Sequence, residues 1–266
     1  MRSHPGSGPD GTTPRVAEVL AEAHQLLEQA DREELTVRLV GSTAIRERCP
    51  GAAEFLDRCG RGLKDIDVVI PKQNVKGVRK LAGSLGYTVN QEMLIAFEGR
   101  RLLLEPRNVG SPVDVFVDEL DFCHRIDLRH RWQSDARTLS IADLLLAKLQ
   151  IVDISGGDQH DMMALLLEYP VGESDHDSLN AGYIAAVLST DWGFWYTATT
   201  NLDKLSVASN ESTPLTSNEL DQVQRHIQAL RQRIESEPKS MKWKARAKIG
   251  TRKNWYNHVE EKQRAL

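Results

Sequence analysis

The stretches VRLVGS (residues 37–42) and KDIDVVI (residues 64–70) decide the fold of this chain. The apolar run at residues 37–40 predicts a buried strand, which ends at Gly41, where a glycine lets the backbone turn sharply. Residues 64–70 predict a second strand, because β-branched residues dominate them and Pro71 follows. The remaining predicted elements are arranged around these two strands.

Two aspartates stand at the start of the second predicted strand. Side chains two residues apart in a strand project from the same face, so the carboxylates of Asp65 and Asp67 are expected to lie close enough to share an ion. Like charges at such a separation repel each other and need a cation or a proton between them. Because carboxylate oxygens are hard ligands, the pair predicts a site for Mg²⁺ or Mn²⁺.

The segments on either side of the two strands predict a mixed, twisted α/β sheet. Ser42 and Thr43 are expected to open a helix whose free amide groups face the site and favour phosphate. Apolar periodicity and turn residues predict further elements in this half of the chain. These are helices at residues 15–30 and 74–85, strands at 87–89, 94–97, 101–104 and 113–117, and a tight hairpin turn at 98–100.

Beyond about residue 137 the pattern becomes helical. Ser140 is a good N-cap, with Asp143 three residues later. Further helices are predicted at residues 158–169, 178–188, 191–205 (with Asp191 as cap), 218–234 and 240–259. The predicted fold class is therefore α/β (α+β), a mixed twisted sheet with a C-terminal helical bundle. The predicted organisation is a flexible tail (1–14), an α/β domain (15–136) and a helical domain (137–266).

Composition limits the range of functions. The chain has 266 residues and a formal net charge of −4, which gives no global attraction to nucleic acid. No apolar run approaches the length of a membrane span, so no membrane partner is expected. The odd set of cysteines (Cys49, Cys59 and Cys123) lacks zinc-type pairing, and residues 1–14, rich in Gly, Pro and Ser without an apolar core, predict a flexible tail rather than a signal peptide. Reduced thiols and a cytoplasmic location are the expectation.

The motifs Gly41-Ser42 and Asp65-Ile66-Asp67, followed by Asp114 in PVDVFVD (residues 112–118), resemble the nucleotidyltransferase superfamily that includes DNA polymerase β. That family carries Gly-Ser or Gly-Gly after a first strand, Asp-x-Asp on the next strand and a third carboxylate on a later one. The resemblance covers roughly residues 35–165. One departure is the separation of 65 − 41 = 24 positions between Gly41 and Asp65, which indicates an insertion at residues 49–62 over the site.

The resemblance implies an enzyme that transfers an NMP from an NTP, such as ATP, to an acceptor and releases pyrophosphate. It implies that Asp65, Asp67 and Asp114 are catalytic and bind Mg²⁺ or Mn²⁺, and that Asp114 also activates the acceptor hydroxyl. Asp118, four residues further on, ranks second to Asp114. In the alternative interpretation, Asp65 is a solvated strand end and Asp114 a structural cap.

Gly41 and Ser42 are predicted to bind the nucleotide phosphates. A glycine permits close approach of the backbone, and the serine hydroxyl can donate to a phosphate oxygen. The alternative is a simple turn between a strand and a helix.

Lys148 lies within a run that is otherwise apolar, where a lysine is rarely buried without a partner. The pattern of Lys148 followed by Asp161 resembles that of the nucleotidyltransferase toxins of bacterial type IV toxin–antitoxin and abortive-infection systems. The resemblance implies that Lys148 and Asp161 complete the nucleotide site and that an antitoxin is a partner. The alternatives are a lysine that snorkels at the edge of the bundle, or a purely structural Lys148–Asp161 pair.

The C-terminal segment is basic. Residues 239–253 carry seven lysines and arginines and no acid, with Trp243, Trp255 and Tyr256 interleaved or following. This composition fits contact with a nucleic-acid backbone, such as tRNA or another RNA, or a wall that faces polyphosphate. The alternative is an amphipathic helix whose tryptophans pack on the bundle and whose lysines are solvated.

The sequence leaves the acceptor open among an RNA 3′ end, a small molecule and a protein hydroxyl. A second hypothesis is a catalytically silent nucleotide- or partner-binding protein, a regulator or antitoxin, on the same fold. The presence of Asp65, Asp67 and Asp114 together favours the active enzyme.

Overall fold

The computed structural model of the protein describes residues 14–132, 137–211 and 213–258. The predicted tail falls outside these residues except for Pro14, and so does the last residue of the helix predicted at 240–259. The boundary predicted between residues 136 and 137 adjoins one of the gaps.

The N-terminal half alternates helices with the strands of the main sheet. Its elements are α1 (Pro14–Arg32), β1 (Arg38–Val40), α2 (Gly41–Arg48), α3 (Ala53–Arg58), β2 (Ile66–Ile70), α4 (Val75–Ser84), β3 (Tyr87–Val89), α5 (Gln91–Ala96), β4 (Arg101–Pro106), β5 (Val113–Val117), β6 (Glu119–Asp121) and β7 (Arg125–Asp127). A short 3₁₀ turn, Lys72–Asn74, precedes α4. The predicted helix at residues 74–85 and the predicted strands at 37–40, 87–89, 101–104 and 113–117 are confirmed to within two residues at each end.

Five strands form one mixed sheet in the order β1-β2-β5-β4-β3. The central pair, β2 and β5, is parallel, and the other pairs are antiparallel. The β2 and β5 strands carry mainly Val and Ile and are buried, as expected for strands covered on both faces. The predicted mixed α/β sheet is therefore confirmed.

The strand predicted at residues 94–97 is wrong, because residues 94–96 belong to α5 and Phe97 is the C-cap of that helix. The Asn90 side chain caps this helix by accepting a 3.0 Å hydrogen bond from the Met93 amide. The turn at residues 98–100 consequently joins a helix to β4 and is not a hairpin. Glu98 and Gly99 both adopt left-handed backbone conformations there, with φ of 53° and 74°.

The C-terminal half is helical apart from a two-residue parallel strand pair. Its elements are α6 (Ile141–Leu149), α7 (Gly156–Glu168), β8 (Val171–Gly172), β9 (Leu179–Asn180), α8 (Ala181–Thr190), α9 (Trp192–Glu211), α10 (Ser217–Ser236) and α11 (Met241–Ile249). The predicted caps are confirmed: Ser140 accepts the Asp143 amide, and Asp191 accepts the amides of Gly193 and Phe194. The predicted helical region is confirmed, and the strand pair is its exception.

The last predicted helix is shorter than the sequence pattern suggested. It ends at Ile249, where Gly250 takes a φ of 61°, and a 3₁₀ turn (Gly250–Arg252) follows. The chain beyond it lies against α9, with the Trp255 indole N–H donating to Thr197 at 3.2 Å. A Cβ at Gly193 would lie 2.3 Å from the Trp255 carbonyl oxygen, so a glycine permits this close contact.

The two halves share one hydrophobic core. Leu39, Ile66 and Val115 of the sheet belong to the same buried cluster as Leu145 of α6 and Met163 of α7. Residues 137–139 also extend the sheet edge, since Leu39 donates to Arg137 and Leu139 donates to Leu39. Among the described helices, none is long and apolar enough to cross a membrane.

Candidate functional site

The register of the sheet brings Gly41, Asp67 and Asp114 together. Val40, the last residue of β1, pairs with Asp67 of β2, and Asp67 pairs with Asp114 of β5. Gly41 follows directly with a φ of 70°. A Cβ built on Gly41 would lie 2.1 Å from Oδ2 of Asp67. The glycine therefore serves both the left-handed turn and the space that the Asp67 carboxylate occupies.

Replacing Gly41 by alanine is expected to destabilise the protein and to displace Asp67. The left-handed backbone costs about 1–2 kcal/mol for a non-glycine residue, and the contact with Asp67 adds to it. We therefore expect chemical denaturation to show a free energy of unfolding at least about 2 kcal/mol lower than that of wild type. Gly60→Ala is the matched control, because Gly60 has a φ of 62° but open space around it. Equal losses in the two variants would contradict the role assigned to the Asp67 contact.

Asp65 lies just before β2 and not within it. The observed strand begins at Ile66, two residues later than the strand predicted at 64–70. Its backbone is held from α2, because the Thr43 hydroxyl donates to the Asp65 carbonyl oxygen at 2.9 Å. Burial and the charge of Asp114 raise the pKa of Asp65. Burial and the charges of Asp65 and Asp114 raise the pKa of Asp67 well above its ordinary value. The two carboxyl groups are thus held in a repulsive arrangement.

Asp65 and Asp67 form one side of a cleft of about 430 Å³. Residues from α2, from β2 and the segment before it, from the turn between β6 and β7, and from α6 and α7 with the loop between them enclose it. They are Ser42, Arg61, Lys64, Asp65, Asp67, Phe122, Lys148, Ile151, Asp153, Ser155 and Asp158. The volume lies within the range of small-molecule sites. The predicted site residues Ser42, Asp65, Asp67 and Lys148 therefore share one cleft.

Lys148 reaches the cleft from α6 and does not snorkel into solvent. Its ammonium lies 3.0 Å from Oδ1 of Asp158 and 2.8 Å from Oδ2 of Asp161, and its side chain is 13% exposed. Burial alone would lower the pKa of Lys148, but Asp161 and Asp158 outweigh it and raise the pKa. Lys148 is therefore a fixed positive charge on the side of the cleft formed by the helices.

Asp161 holds a second cation, Arg61, which the sequence analysis did not identify. The guanidinium of Arg61 donates from Nε to Oδ1 of Asp161 and from Nη2 to Oδ2, each at 2.8 Å, across 100 positions of sequence. Asp161 is 1% exposed and does not line the cleft. The predicted insertion at residues 49–62 was the available signal, since Arg61 lies in it, but nothing in the local pattern distinguished Arg61 from Arg58.

Asp114 is paired with an arginine that the sequence analysis also missed. Arg101 of β4 donates through Nε to both Asp114 oxygens, at 2.9 and 3.0 Å, and through Nη2 to Oδ2. Burial raises the pKa of Asp114, and Arg101 opposes that rise. The guanidinium also lies over Phe97 and Phe116, 5.3 and 5.1 Å from their ring centres. Asp114 is buried beside Asp67 but is absent from the cleft surface.

Asp118, ranked second to Asp114, serves the backbone. It follows β5 with a φ of 64°, and its Oδ1 accepts the Lys72 amide at 2.9 Å. It lies four positions after Asp114, roughly 13 Å along the chain in extended conformation. Asp118 is absent from the cleft lining.

The donor set suits a magnesium-like ion that shares its ligands with a substrate. Mg²⁺ is usually bound by one or two carboxylates together with substrate phosphates and water, and Asp65 and Asp67 supply that number. Within the described residues, no three acidic, histidine or cysteine side chains are arranged as a self-contained metal site. The third predicted ligand, Asp114, is paired with Arg101.

The basic C-terminal segment divides its cations between structural contacts and solvent. Lys239 donates to backbone carbonyls at the end of α10, and Arg246 lies 4.6 Å from the ring centre of Trp192. Trp243 packs on Trp195 of α9, and Trp255 on Tyr196. The remaining cations, Lys242, Lys244, Lys248, Arg252 and Lys253, are exposed. The packing of the tryptophans agrees with the amphipathic interpretation, while RNA binding stays a prediction.

We compared the chain with models of protein families, with curated proteins and with solved structures, and none of the three comparisons found a match.

Proposed function

We propose that this protein is a metal-dependent nucleotidyltransferase that transfers an NMP from an NTP to an acceptor hydroxyl and releases pyrophosphate. The observation that carries the proposal is the cleft in which Asp65 and Asp67, close together, share one space with Ser42 and Lys148. Divalent ions bound there would neutralise phosphate charge and favour in-line attack on the α-phosphorus.

Each side chain has a role that follows from its position. The Ser42 hydroxyl and the free amides at the start of α2 are suited to donate to phosphate oxygens, because no side chain caps this helix. The Lys148 ammonium is suited to bind the departing pyrophosphate. Attack by the acceptor oxygen would form a new P–O bond as the bond to pyrophosphate breaks. The hydroxyl proton would leave to solvent in the cleft, because Asp114, the acceptor implied by the resemblance, is paired with Arg101 and absent from the cleft surface.

The charge of the cleft supports metal dependence. Its lining carries three cations (Arg61, Lys64 and Lys148) and four carboxylates (Asp65, Asp67, Asp153 and Asp158), so the formal net charge with every group ionised is 3 − 4 = −1. A triphosphate is strongly anionic and would be repelled by such a lining. Divalent cations on Asp65 and Asp67 would reverse the sign and allow it to bind.

The direct test is transfer of labelled NMP. The protein is incubated with each of the four α-labelled NTPs, with Mg²⁺ or Mn²⁺, and with bulk tRNA, a small-molecule hydroxyl panel or the protein itself. We expect labelled product and pyrophosphate in one combination of NTP and acceptor. Absence of transfer to every acceptor class, together with no NTP binding in calorimetry, would refute the proposal.

Metal and nucleotide are expected to stabilise the folded protein. Burial and neighbouring carboxylate charges raise the pKa values of Asp65 and Asp67, so the ionisation of these groups favours the unfolded state. This destabilisation is absent below the ordinary carboxyl pKa and grows as pH rises towards the raised values. At pH 7, Mg²⁺ with the preferred NTP at about 100 times its Kd should raise the Tm by roughly 5 °C or more. An unchanged melting curve with all four NTPs would contradict a shared-ion site.

The Asp114–Arg101 pair favours a second candidate, a nucleotide-binding regulator or antitoxin without turnover. Arg101 engages both oxygens of Asp114, which lowers its ability to accept a proton or to hold an ion. In this case NTP and Mg²⁺ would bind and raise the Tm, yet no acceptor would be labelled. The binding and transfer experiments together therefore separate the two functions.

A further inference from the structure

The insertion before β2 contributes one side chain to the cleft that the proposed function does not use. Arg61 follows α3 and lines the cleft, with its side chain 22% exposed. Its partner Asp161, on α7, is 1% exposed. The insertion is thereby tied to the helical half of the molecule at the edge of the cleft.

Arg61 and Lys148 are held by the same carboxylate. Oδ2 of Asp161 lies 2.8 Å from both the Arg61 Nη2 and the Lys148 Nζ. Two cations so close together would repel each other without the carboxylate between them. Asp161 thus fixes the spacing of two positive groups, and we assign it a positioning role in place of the nucleotide contact implied by the resemblance.

Both cations retain hydrogen-bonding capacity. Arg61 uses three of the five N–H donors of a guanidinium, two on Asp161 and one on the Gly62 carbonyl oxygen at 3.0 Å. Lys148 uses two of the three donors of an ammonium within the described residues. The donors left over belong to groups that line the cleft. A guanidinium also presents paired donors in a geometry that matches phosphate oxygens.

We propose that Arg61 and Lys148, spaced by Asp161, bind the β- and γ-phosphates of the nucleotide, so that the cleft selects polyphosphates over monophosphates. The inference rests on the proposed function for the identity of the ligand. It assigns the phosphate tail to the insertion and α6, and it leaves the α-phosphate beside Asp65 and Asp67.

Arg58 provides a matched control within the same insertion. It lies three positions before Arg61, at the end of α3, and its Nη2 donates to both carboxylate oxygens of Glu219 at 2.7 Å. Arg58 is absent from the cleft lining. Arg58→Gln therefore removes the same charge and a more exposed two-oxygen ion pair from the insertion, at a position outside the cleft lining.

The experiment measures Mg²⁺-dependent binding of inorganic tripolyphosphate, of the four NTPs and of the four NMPs by calorimetry. It uses wild type, Arg61→Gln, Arg61→Lys and Arg58→Gln, each checked for a cooperative melting transition. We expect Arg61→Gln to weaken tripolyphosphate and NTP binding about tenfold, the loss of one charge-assisted contact. The affinity of Arg61→Gln for NMPs should match that of wild type. Arg58→Gln should bind tripolyphosphate, NTPs and NMPs as wild type does. Arg61→Lys keeps the charge and should lose less affinity for tripolyphosphate and NTP than Arg61→Gln does. It also provides the test if Arg61→Gln does not fold.

Two results would overturn the inference: equal tripolyphosphate affinity in wild type and both folded Arg61 variants, or an equal loss in Arg58→Gln. Failure of wild type to bind tripolyphosphate and every NTP would overturn the inference and the proposed function together. Binding that depends on Arg61, without transfer to any acceptor, would uphold the inference and refute only the transfer reaction.

Discussion

Replacing Asp67 by asparagine is expected to reduce nucleotidyl transfer by at least about 10²–10³-fold, the usual cost of removing one preorganised electrostatic group. Asparagine has nearly the same volume as aspartate, so it still fits the space beside Gly41 that the Asp67 side chain fills. The charge on which the proposed ion site depends is lost. The measurement is the rate of labelled NMP transfer at saturating Mg²⁺ and NTP, with wild type alongside.

The same substitution should raise the stability of the metal-free protein. Burial and the neighbouring charges of Asp65 and Asp114 raise the pKa of Asp67, so the ionised carboxylate disfavours the folded state above the ordinary carboxyl pKa. Asp67→Asn should therefore melt higher than wild type at pH 7, by about 2–4 °C for each kcal/mol relieved. The difference in Tm should disappear below about pH 4, where the Asp67 carboxyl of wild type is protonated in both the folded and the unfolded state.

Asp118→Asn is the matched control for Asp67→Asn. Asp118 lies at the end of β5 outside the cleft, and asparagine tolerates its left-handed backbone and can still accept the Lys72 amide. We expect transfer by this variant to match wild type. Full activity in Asp67→Asn, or an equal loss in both variants, would show that Asp67 is not a ligand of a catalytic ion.

Replacing Lys148 by alanine is expected to weaken NTP binding about ten- to a hundredfold. The lost contact between an ammonium and a phosphate is worth roughly 1.5–3 kcal/mol. Folding should suffer less than binding, because alanine has the best helix propensity and Arg61 still engages both oxygens of Asp161. A calorimetric titration with the preferred nucleotide, below the melting temperature of the variant, measures the effect.

Lys204→Ala is the control for Lys148→Ala. The Lys204 ammonium donates to the Val152 carbonyl oxygen at 3.0 Å, so it touches the same loop between α6 and α7 while remaining outside the cleft lining. Its removal should leave NTP affinity unchanged. Equal dissociation constants for wild type and Lys148→Ala would exclude Lys148 from the nucleotide site and separate the helical half from catalysis.

Local pattern was sufficient for most of the elements and for their caps. Strands of β-branched residues, the glycine after β1 and the caps at Ser140 and Asp191 are short-range features, and the structure confirms them. Where two local signals competed, the pattern misled. Residues 94–97 are apolar enough for a strand, but the Asn90 cap directs them into a helix.

The sequence by itself also determined which aspartates are candidates, since Asp65, Asp67 and Asp114 follow from strand positions and motif order. Only the tertiary structure decided their surroundings. It placed Arg101 on Asp114, although these residues are 13 positions apart on antiparallel strands. It brought Arg61 to Asp161 across 100 positions, which made the insertion part of the cleft. Partners of this kind depend on strand register and helix packing, and a buried carboxylate needs a cation that only the folded chain can bring to it.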